Sequence, residues 1–257
     1  MPIRTTPWPA GTPCWIDLAV ADVDAAKEFY AAVLGWTYID TGDQFGHYQM
    51  CQRDGHFAAG IGPRQSSDQP PAWTTYLASD AADSTASKIE ENGGKVLAGP
   101  FDVPGAGRMC IALDAQGAAF GVWQAEGHIG AELYNQPGSL VWNEAALPDP
   151  DAGRQFYAAV FDYSYQRVEG AGAEYMTFHR GGDPLGGIGG LAYRPPETPP
   201  HWMAYFMVDD TDAAVAAATE RGATVPSGPH DTPYGRMASI TDPQGAVLSI
   251  MAAMSPG

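Results

Sequence analysis

The chain has 257 residues, 45% of them hydrophobic, and carries 13 Lys and Arg against 30 Asp and Glu for a formal net charge of −17. That length allows one large or two ordinary domains with a sizeable core, and no run of about 18 apolar residues is present to cross a membrane as a helix. So acidic a chain repels phosphate backbones and anionic headgroups, which argues against nucleic-acid and membrane partners.

Residues 13–20, PCWIDLAV, alternate as a strand, with Ile16, Leu18 and Val20 on one face and Trp15, Asp17 and Ala19 on the other. Asp22 and Asp24 offer helix N-caps, and Ala26, Phe29, Tyr30 and Val33 follow at helical spacing, with Gly35 at the left-handed C-cap position. Strands are predicted over 48–53 and 57–61 around the turn dipeptide Asp54-Gly55, then a loop over 62–71. The order restarts: a strand over 73–78, a helix over 81–92 stopped by Gly93-Gly94, a short strand over 95–97, and strands over 108–113 and 119–124. The second half repeats it, with strands over 141–146, 175–179 and 185–190, a helix over 151–161 and a Pro-rich loop over 194–200. A strand over 201–208, a helix over 211–221 and strands over 236–241 and 246–251 complete it.

The chain is a duplication. FYAAV recurs at 29–33 and 156–160, and 8 of 19 positions are identical between 107–125 and 235–253. The prediction is therefore an α+β protein of two tandem domains, 11–126 and 139–254, joined by a linker over 127–138, each built from two paired β-α-β-β-β units. Residues 1–13 hold one Arg and no apolar segment, so no secretory leader is expected and a cytoplasmic location is. Cys14, Cys51 and Cys110 are an odd number without CxxC spacing, which reads as core thiols in a reducing compartment.

The strand-plus-helix openings WIDLAVADVDAAKEFYAAVLGW and VWNEAALPDPDAGRQFYAAVFDY, with the hairpins DAQGAAFGVW and DPQGAVLSIM, resemble the vicinal oxygen chelate superfamily of glyoxalases, bleomycin-resistance proteins and extradiol dioxygenases. More narrowly, the chain resembles two-domain actinobacterial members labelled glyoxalase-like or hydroxylase. The resemblance implies curved mixed sheets, each enclosing a cleft. It also implies a metal ligand, His or Gln, seven residues before the Asp that ends the first strand of a unit, and a Glu in the last strand. Counting back from Asp22, Asp80 and Asp209 gives Trp15, Trp73 and Trp202, the repeat adds Trp142, and the Glu positions fall on Gly121 and Ser249. Indole offers no lone pair to a metal and glycine no side chain, so neither metal nor other cofactor is expected.

In place of ligands, the clefts are expected to hold Trp15 beside Asp17 and Trp142 beside Glu144, faced by Trp73 with Thr75 or by Trp202 with Ala204 and Phe206. Ser249 is a further candidate lining residue, and Arg108 and Arg236 start strands near enough to reach a cleft. The four indoles read either as core filler or as a slot for a planar or apolar ligand. Asp17 and Glu144 read either as ion-pair partners of Arg108 and Arg236 or as general bases of raised pKa. His47, His179, His201 and His230 are unrepeated and read as surface or loop residues, and the Gly-rich run 186–190 as a bulged strand. The leading expectation is metal-independent binding of an aromatic or amphipathic small molecule by a monomer or weak homodimer, related to drug-sequestering resistance proteins. The rivals are a glyoxalase-type lyase or isomerase, or an oxygenase, using Asp17 or Glu144, and a scaffold with filled clefts.

Overall fold

The computed structural model describes residues 3–192 and 197–253. The predicted Pro-rich loop over 194–200 falls partly outside them. The first half runs β1 (Pro13–Val20), α1 (Val23–Leu34), β2 (Thr37–Asp40), β3 (Gln49–Arg53), β4 (His56–Pro63), β5 (Ala72–Ala78), α2 (Ala82–Glu91), β6 (Lys95–Val103), β7 (Gly107–Leu113) and β8 (Ala119–Ala125). The second runs β9 (Leu140–Leu147), α3 (Pro150–Phe161), β10 (Ser164–Arg167), β11 (Met176–His179), β12 (Pro184–Gly190), β13 (His201–Met207), α4 (Thr211–Glu220), β14 (Thr224–Thr232), β15 (Gly235–Thr241) and β16 (Val247–Ala252).

Each half is one eight-stranded mixed sheet, ordered β2-β3-β4-β1-β5-β8-β7-β6 and β10-β11-β12-β9-β13-β16-β15-β14. Two β-α-β-β-β units thus pair within each half through the antiparallel contacts β1–β5 and β9–β13. The helices start where the sequence caps them: the Asp22 carboxylate accepts from the Ala25 N–H and Asp149 from the Ala152 N–H, and Gly35 ends α1 at φ 72°. The strands that patterning missed, β2, β10 and β14, lie at sheet edges. There the short or Pro-bearing segments need satisfy only one neighbour and lack a buried face to alternate against.

The helix-covered faces of the two sheets are turned toward each other. Ile16, Leu18, Phe29, Tyr30 and Trp36 share one core with Phe206, Ile240, Leu248 and Ile250. Leu77, Ile89 and Phe120 share a second with Leu147, Phe156 and Tyr157. Between the sheets the buried Thr75 hydroxyl donates to the side-chain oxygen of Asn143 at 2.7 Å. A third cluster, with Trp15, Tyr76 and Trp123, lies on the opposite face of the first sheet.

The segment expected as a linker is a strap laid on the first domain. The His128 N–H donates to the Ala106 carbonyl, Ala131 to Cys14, and both Glu132 and Leu133 to Phe57. Leu133 is 2% exposed. The three cysteines are buried, free thiols, and among the described residues no helix is long and apolar enough to cross a membrane.

Candidate functional site

Strand register decides which side chains meet on the cleft face. Asp17 on β1 lies opposite Thr74, and Trp15 opposite Tyr76. Glu144 on β9 lies opposite Met203, and Trp142 opposite Tyr205. Directly paired residues point to the same side of a sheet, so these eight share the concave faces. Trp73 pairs with Leu18 and Trp202 with Ala145, which puts both indoles on the helix side.

The expectation that Trp73, Thr75, Trp202 and Phe206 line the clefts is therefore corrected. Trp73 packs among Tyr30, Trp36 and Phe206, and the Trp202 indole N–H donates to the Tyr157 hydroxyl at 2.8 Å. The reason is a slip of one residue. The residues flanking α2 and α4 as N-caps are Ala81 and Asp210, not Asp80 and Asp209, and a shift of one along a strand moves a side chain to the other face. Counted from the true caps, the positions are Trp15, Thr74, Trp142 and Met203.

Each cleft holds the same polar array. In the first, Tyr76 and Tyr48 donate to one oxygen of Asp17 at 3.0 and 3.3 Å, and the Trp15 indole N–H donates to the Tyr48 hydroxyl at 3.0 Å. In the second, Tyr175 and Tyr205 donate to the two oxygens of Glu144 at 2.8 and 2.6 Å, and Trp142 donates to the Tyr175 hydroxyl at 3.0 Å. Neither Arg completes an ion pair here, which corrects the expectation of Arg108 or Arg236 in a cleft. Arg108 binds Asp83 and Asp102, and Arg236 binds Asp212 and Asp231, at the helix side of each domain.

The two arrays differ in access. Trp15 is 4% exposed. The His128 ring from the strap meets its edge at a centroid distance of 4.5 Å and also borders Trp123 at 5.5 Å and Phe57 at 6.3 Å. Trp123 in turn donates its indole N–H to the His128 carbonyl at 2.9 Å. Burial pushes the Asp17 carboxyl up to about 7, against the smaller opposing effect of the Tyr76 and Tyr48 hydrogen bonds. Asp17 as a whole is half-buried. Burial pushes His128 down to about 4, and its Nε2 has no protein partner. In the second domain Trp142, Glu144 and Tyr175 are all half-buried.

The remaining cleft wall also differs. In the first domain a row of Ala78, Trp123 and Met109 crosses β5, β8 and β7. In the second the equivalent row is Met207, Met251 and Met237. Ser249 pairs with Tyr205 across the strands, and its hydroxyl lies 3.0 Å from that of Ser239. Two cavities, of about 270 and 170 Å³, lie beside Asp80 at the end of β5, away from both carboxylates.

The donor set does not suit the family's metal. Trp15, Thr74, Trp142 and Met203 supply no imidazole or carboxylate. A side chain at Gly121 would strike the Tyr76 ring, at 2.1 Å from an added Cβ. Among the described residues no group of three or more His, Cys, Asp or Glu is arranged to hold an ion, where about three or four strong ligands are needed. Of the histidines, His47 and His230 are exposed as expected, whereas His179 is buried, between the Thr177 hydroxyl and the Gly182 carbonyl.

Sequence reading missed Tyr48, Tyr76, Tyr175, Tyr205 and His128. The tyrosines carried a signal, since each pair recurs in the duplication, at 48 and 175 and at 76 and 205. His128 carried none.

Paired β-α-β-β-β units with an outward cleft in each half define a tandem protein of the vicinal oxygen chelate type. The chain belongs to the Glyoxalase/Bleomycin resistance protein/Dioxygenase superfamily, whose family model matches residues 14–122 and 140–250. It is 40% identical over 248 residues to "Putative glyoxylase CFP32" of Mycobacterium tuberculosis, covering 94% of each chain. It is 36% identical over 256 residues to "Anthracycline biosynthesis protein DnrV" of Streptomyces peucetius, covering 94% of this chain and 93% of the relative. Among solved structures, the Mn(II)-bound glyoxalase from Novosphingobium aromaticivorans superposes with a TM-score of 0.69 at 17% identity, over 96% of this chain and 83% of that one. Homoprotocatechuate 2,3-dioxygenase from Arthrobacter globiformis superposes with a TM-score of 0.66 at 17% identity, over 97% and 82%. These two likenesses are of fold.

Proposed function

We propose that the chain binds a small aromatic or amphipathic molecule in the cleft of its second domain, without a metal, using Glu144 as the polar anchor. The observation that carries this reading is the half-buried Trp142 beside Glu144 and Tyr175, where its counterpart Trp15 is buried against His128 of the strap. A carboxylate has about four acceptor sites, and Tyr175 and Tyr205 use two of them. Glu144 can therefore accept from a ligand hydroxyl or amine while the tyrosines hold it in place. The indole N–H of Trp142 is tied to Tyr175, which fixes the ring as an apolar wall. The relative named for anthracycline biosynthesis supports an aromatic ligand, since an anthracycline contains a planar fused-ring system.

The test is a titration of intrinsic tryptophan fluorescence with 1-naphthol. Saturable quenching at one equivalent is expected, weakened roughly tenfold in Glu144→Ala by loss of a hydrogen bond to a charged group. Equal affinity of wild type and Glu144→Ala, or no saturable binding, would overturn the reading.

A second reading, acid–base chemistry at Asp17, rests on the place of its carboxyl, held by the Tyr76 and Tyr48 hydroxyls on the cleft face, where burial pushes it up to about 7, which suits proton abstraction near neutral pH. Turnover that survives a chelator and is lost in Asp17→Asn would favour it over binding alone.

A further inference from the structure

The first cleft shows what the second is shaped to receive. The His128 ring is a flat heteroaromatic group held among Trp15, Trp123 and Phe57, and it enters from the strap, outside the duplicated units. Its ring Nε2 takes no part in holding the strap. The backbone of residue 128 makes the bonds, through its N–H to Ala106 and its carbonyl to Trp123, while the ring nitrogen Nε2 is left without a protein partner. Within the first domain, His128 therefore sits as a tethered occupant.

The sheet registers give the corresponding place in the second domain. Trp15 and Trp142 are both paired with a tyrosine, Tyr76 or Tyr205. Trp123 lies between Ala78 and Met109, as Met251 lies between Met207 and Met237. Phe57 pairs with Gln52 one step beyond a bulge, as Pro184 pairs with His179. The seat bounded by Trp15, Trp123 and Phe57 thus becomes one bounded by Trp142, Met251 and Pro184. Two large aromatic walls are replaced by a flexible thioether and a ring without a long side chain. Thioethers adapt their shape and favour the edges of aromatic rings.

We infer that the second cleft seats a flat aromatic ring between Trp142 and Met251, at the place where His128 sits in the first and on the sheet face that carries Glu144. This rests on the second cleft being the binding site and adds the planarity of the ligand and the position of its ring. Met251 is then a specificity-determining residue, and filling its place with indole closes the second seat in the way that Trp123 narrows the first.

The experiment compares 1-naphthol with its saturated counterpart, decahydro-1-naphthol, on the full chain by isothermal titration. The phenolic O–H of 1-naphthol donates more strongly to Glu144 than the alcohol does, so the ratio is also read in Glu144→Ala, where it reports the ring contact. The flat compound is expected to bind about three- to tenfold more tightly, the increment of an aromatic contact beyond its area. Met251→Trp is expected to weaken 1-naphthol roughly tenfold or more by overpacking the seat. His128→Ala keeps every backbone bond of the strap, and adding imidazole is expected to raise its melting temperature while leaving that of wild type unchanged. Equal affinity for the two naphthols, or insensitivity to Met251→Trp, overturns the inference even where binding through Glu144 stands. Failure of imidazole to stabilise His128→Ala removes its premise, that the first cleft is a ring seat.

Discussion

Tyr30 on α1 donates a hydrogen bond to a carboxylate oxygen of Asp242, 212 positions away in the other domain, at 2.9 Å. The duplication mirrors it: Tyr157 on α3 donates to Asp114 at 2.8 Å. The second oxygen of each carboxylate closes its own turn, taking the N–H groups of Gln244 and Ala246, or of Gln116 and Ala118. The repeated FYAAV helix and the repeated turn before the last strand are thus two halves of one reciprocal clasp between domains. Tyr30→Phe and Tyr157→Phe should each lower stability by about 1–3 kcal/mol, since each leaves a buried carboxylate oxygen unpaired. Urea denaturation checks this. Both variants should keep wild-type affinity for 1-naphthol, because the clasp lies on the helix side of the sheets and the clefts on the other.

Asp17 and His128 should give the protein opposed pH dependences within the same acidic range. The Asp17 carboxyl holds its proton to about 7, while an unfolded aspartate releases it near ~3.9. Its contribution to stability is therefore complete below about pH 4 and is lost as pH rises toward 7. His128 is held at about 4 against roughly 6.5 unfolded, so its contribution is present above about pH 6.5 and is lost as pH falls toward 4. Relative to wild type, Asp17→Asn should gain a few degrees of melting temperature on going from pH 4 to pH 8. His128→Phe should gain in the opposite direction. A difference between Asp17→Asn and wild type that stays constant across that range would contradict the burial of Asp17.

The parts of the molecule that were legible in the sequence are those governed by local rules. Asp22 and Asp149 cap their helices, Gly35 ends one, and Asp54-Gly55 turns a hairpin with φ of 53° and 80°. A cap or turn residue acts on atoms a few positions away. The first-strand pairs Trp15 with Asp17 and Trp142 with Glu144 were legible for the same reason, since alternation alone places them on one face. Their partners were not. Tyr76 reaches Asp17 over 59 positions and Tyr205 reaches Glu144 over 61, distances bridged only by sheet register. Trp73 and Trp202 were misplaced by a single position. Asp80 and Asp209 each stand one residue before the position that flanks the helix, Ala81 or Asp210. Ala81 makes no side-chain hydrogen bond there, so the acidic residue beside it misleads the count.

Removal of metal should leave the protein unchanged. The concave positions at Trp15, Thr74, Trp142 and Met203, with Gly121 and Ser249 in the closing strands, lack the three or four strong donors that a divalent ion needs. Dialysis against EDTA is expected to alter neither the melting temperature nor the affinity for 1-naphthol, and added Mn(II) is expected to raise neither. A melting temperature that rises with Mn(II) at a stoichiometry of one would show a site built from other residues and would overturn the metal-free reading.

The glycines of β4 and β12 are clearance for the tyrosines that hold the carboxylates. A Cβ at Gly60 would lie 1.7 Å from the Tyr48 hydroxyl oxygen, and one at Gly187 would lie 2.1 Å from that of Tyr175. The Gly-rich run that reads as a bulged strand is thus the floor on which Tyr175 rests. Gly187→Ala must displace the phenol from Glu144, because Gly187 is paired with Glu144 in the sheet and the strand cannot retreat without breaking that pairing. The displaced Tyr175 would also release the Trp142 indole N–H. Gly187→Ala is therefore expected to lower stability by about 1–3 kcal/mol, the usual penalty of overpacking, and to weaken 1-naphthol. Gly60→Ala should carry a similar stability penalty, because it displaces Tyr48 from Asp17, yet leave second-cleft affinity intact. Paired denaturation and titration measurements separate the two, and equal loss of binding in both variants would contradict the assignment of the ligand to the second cleft.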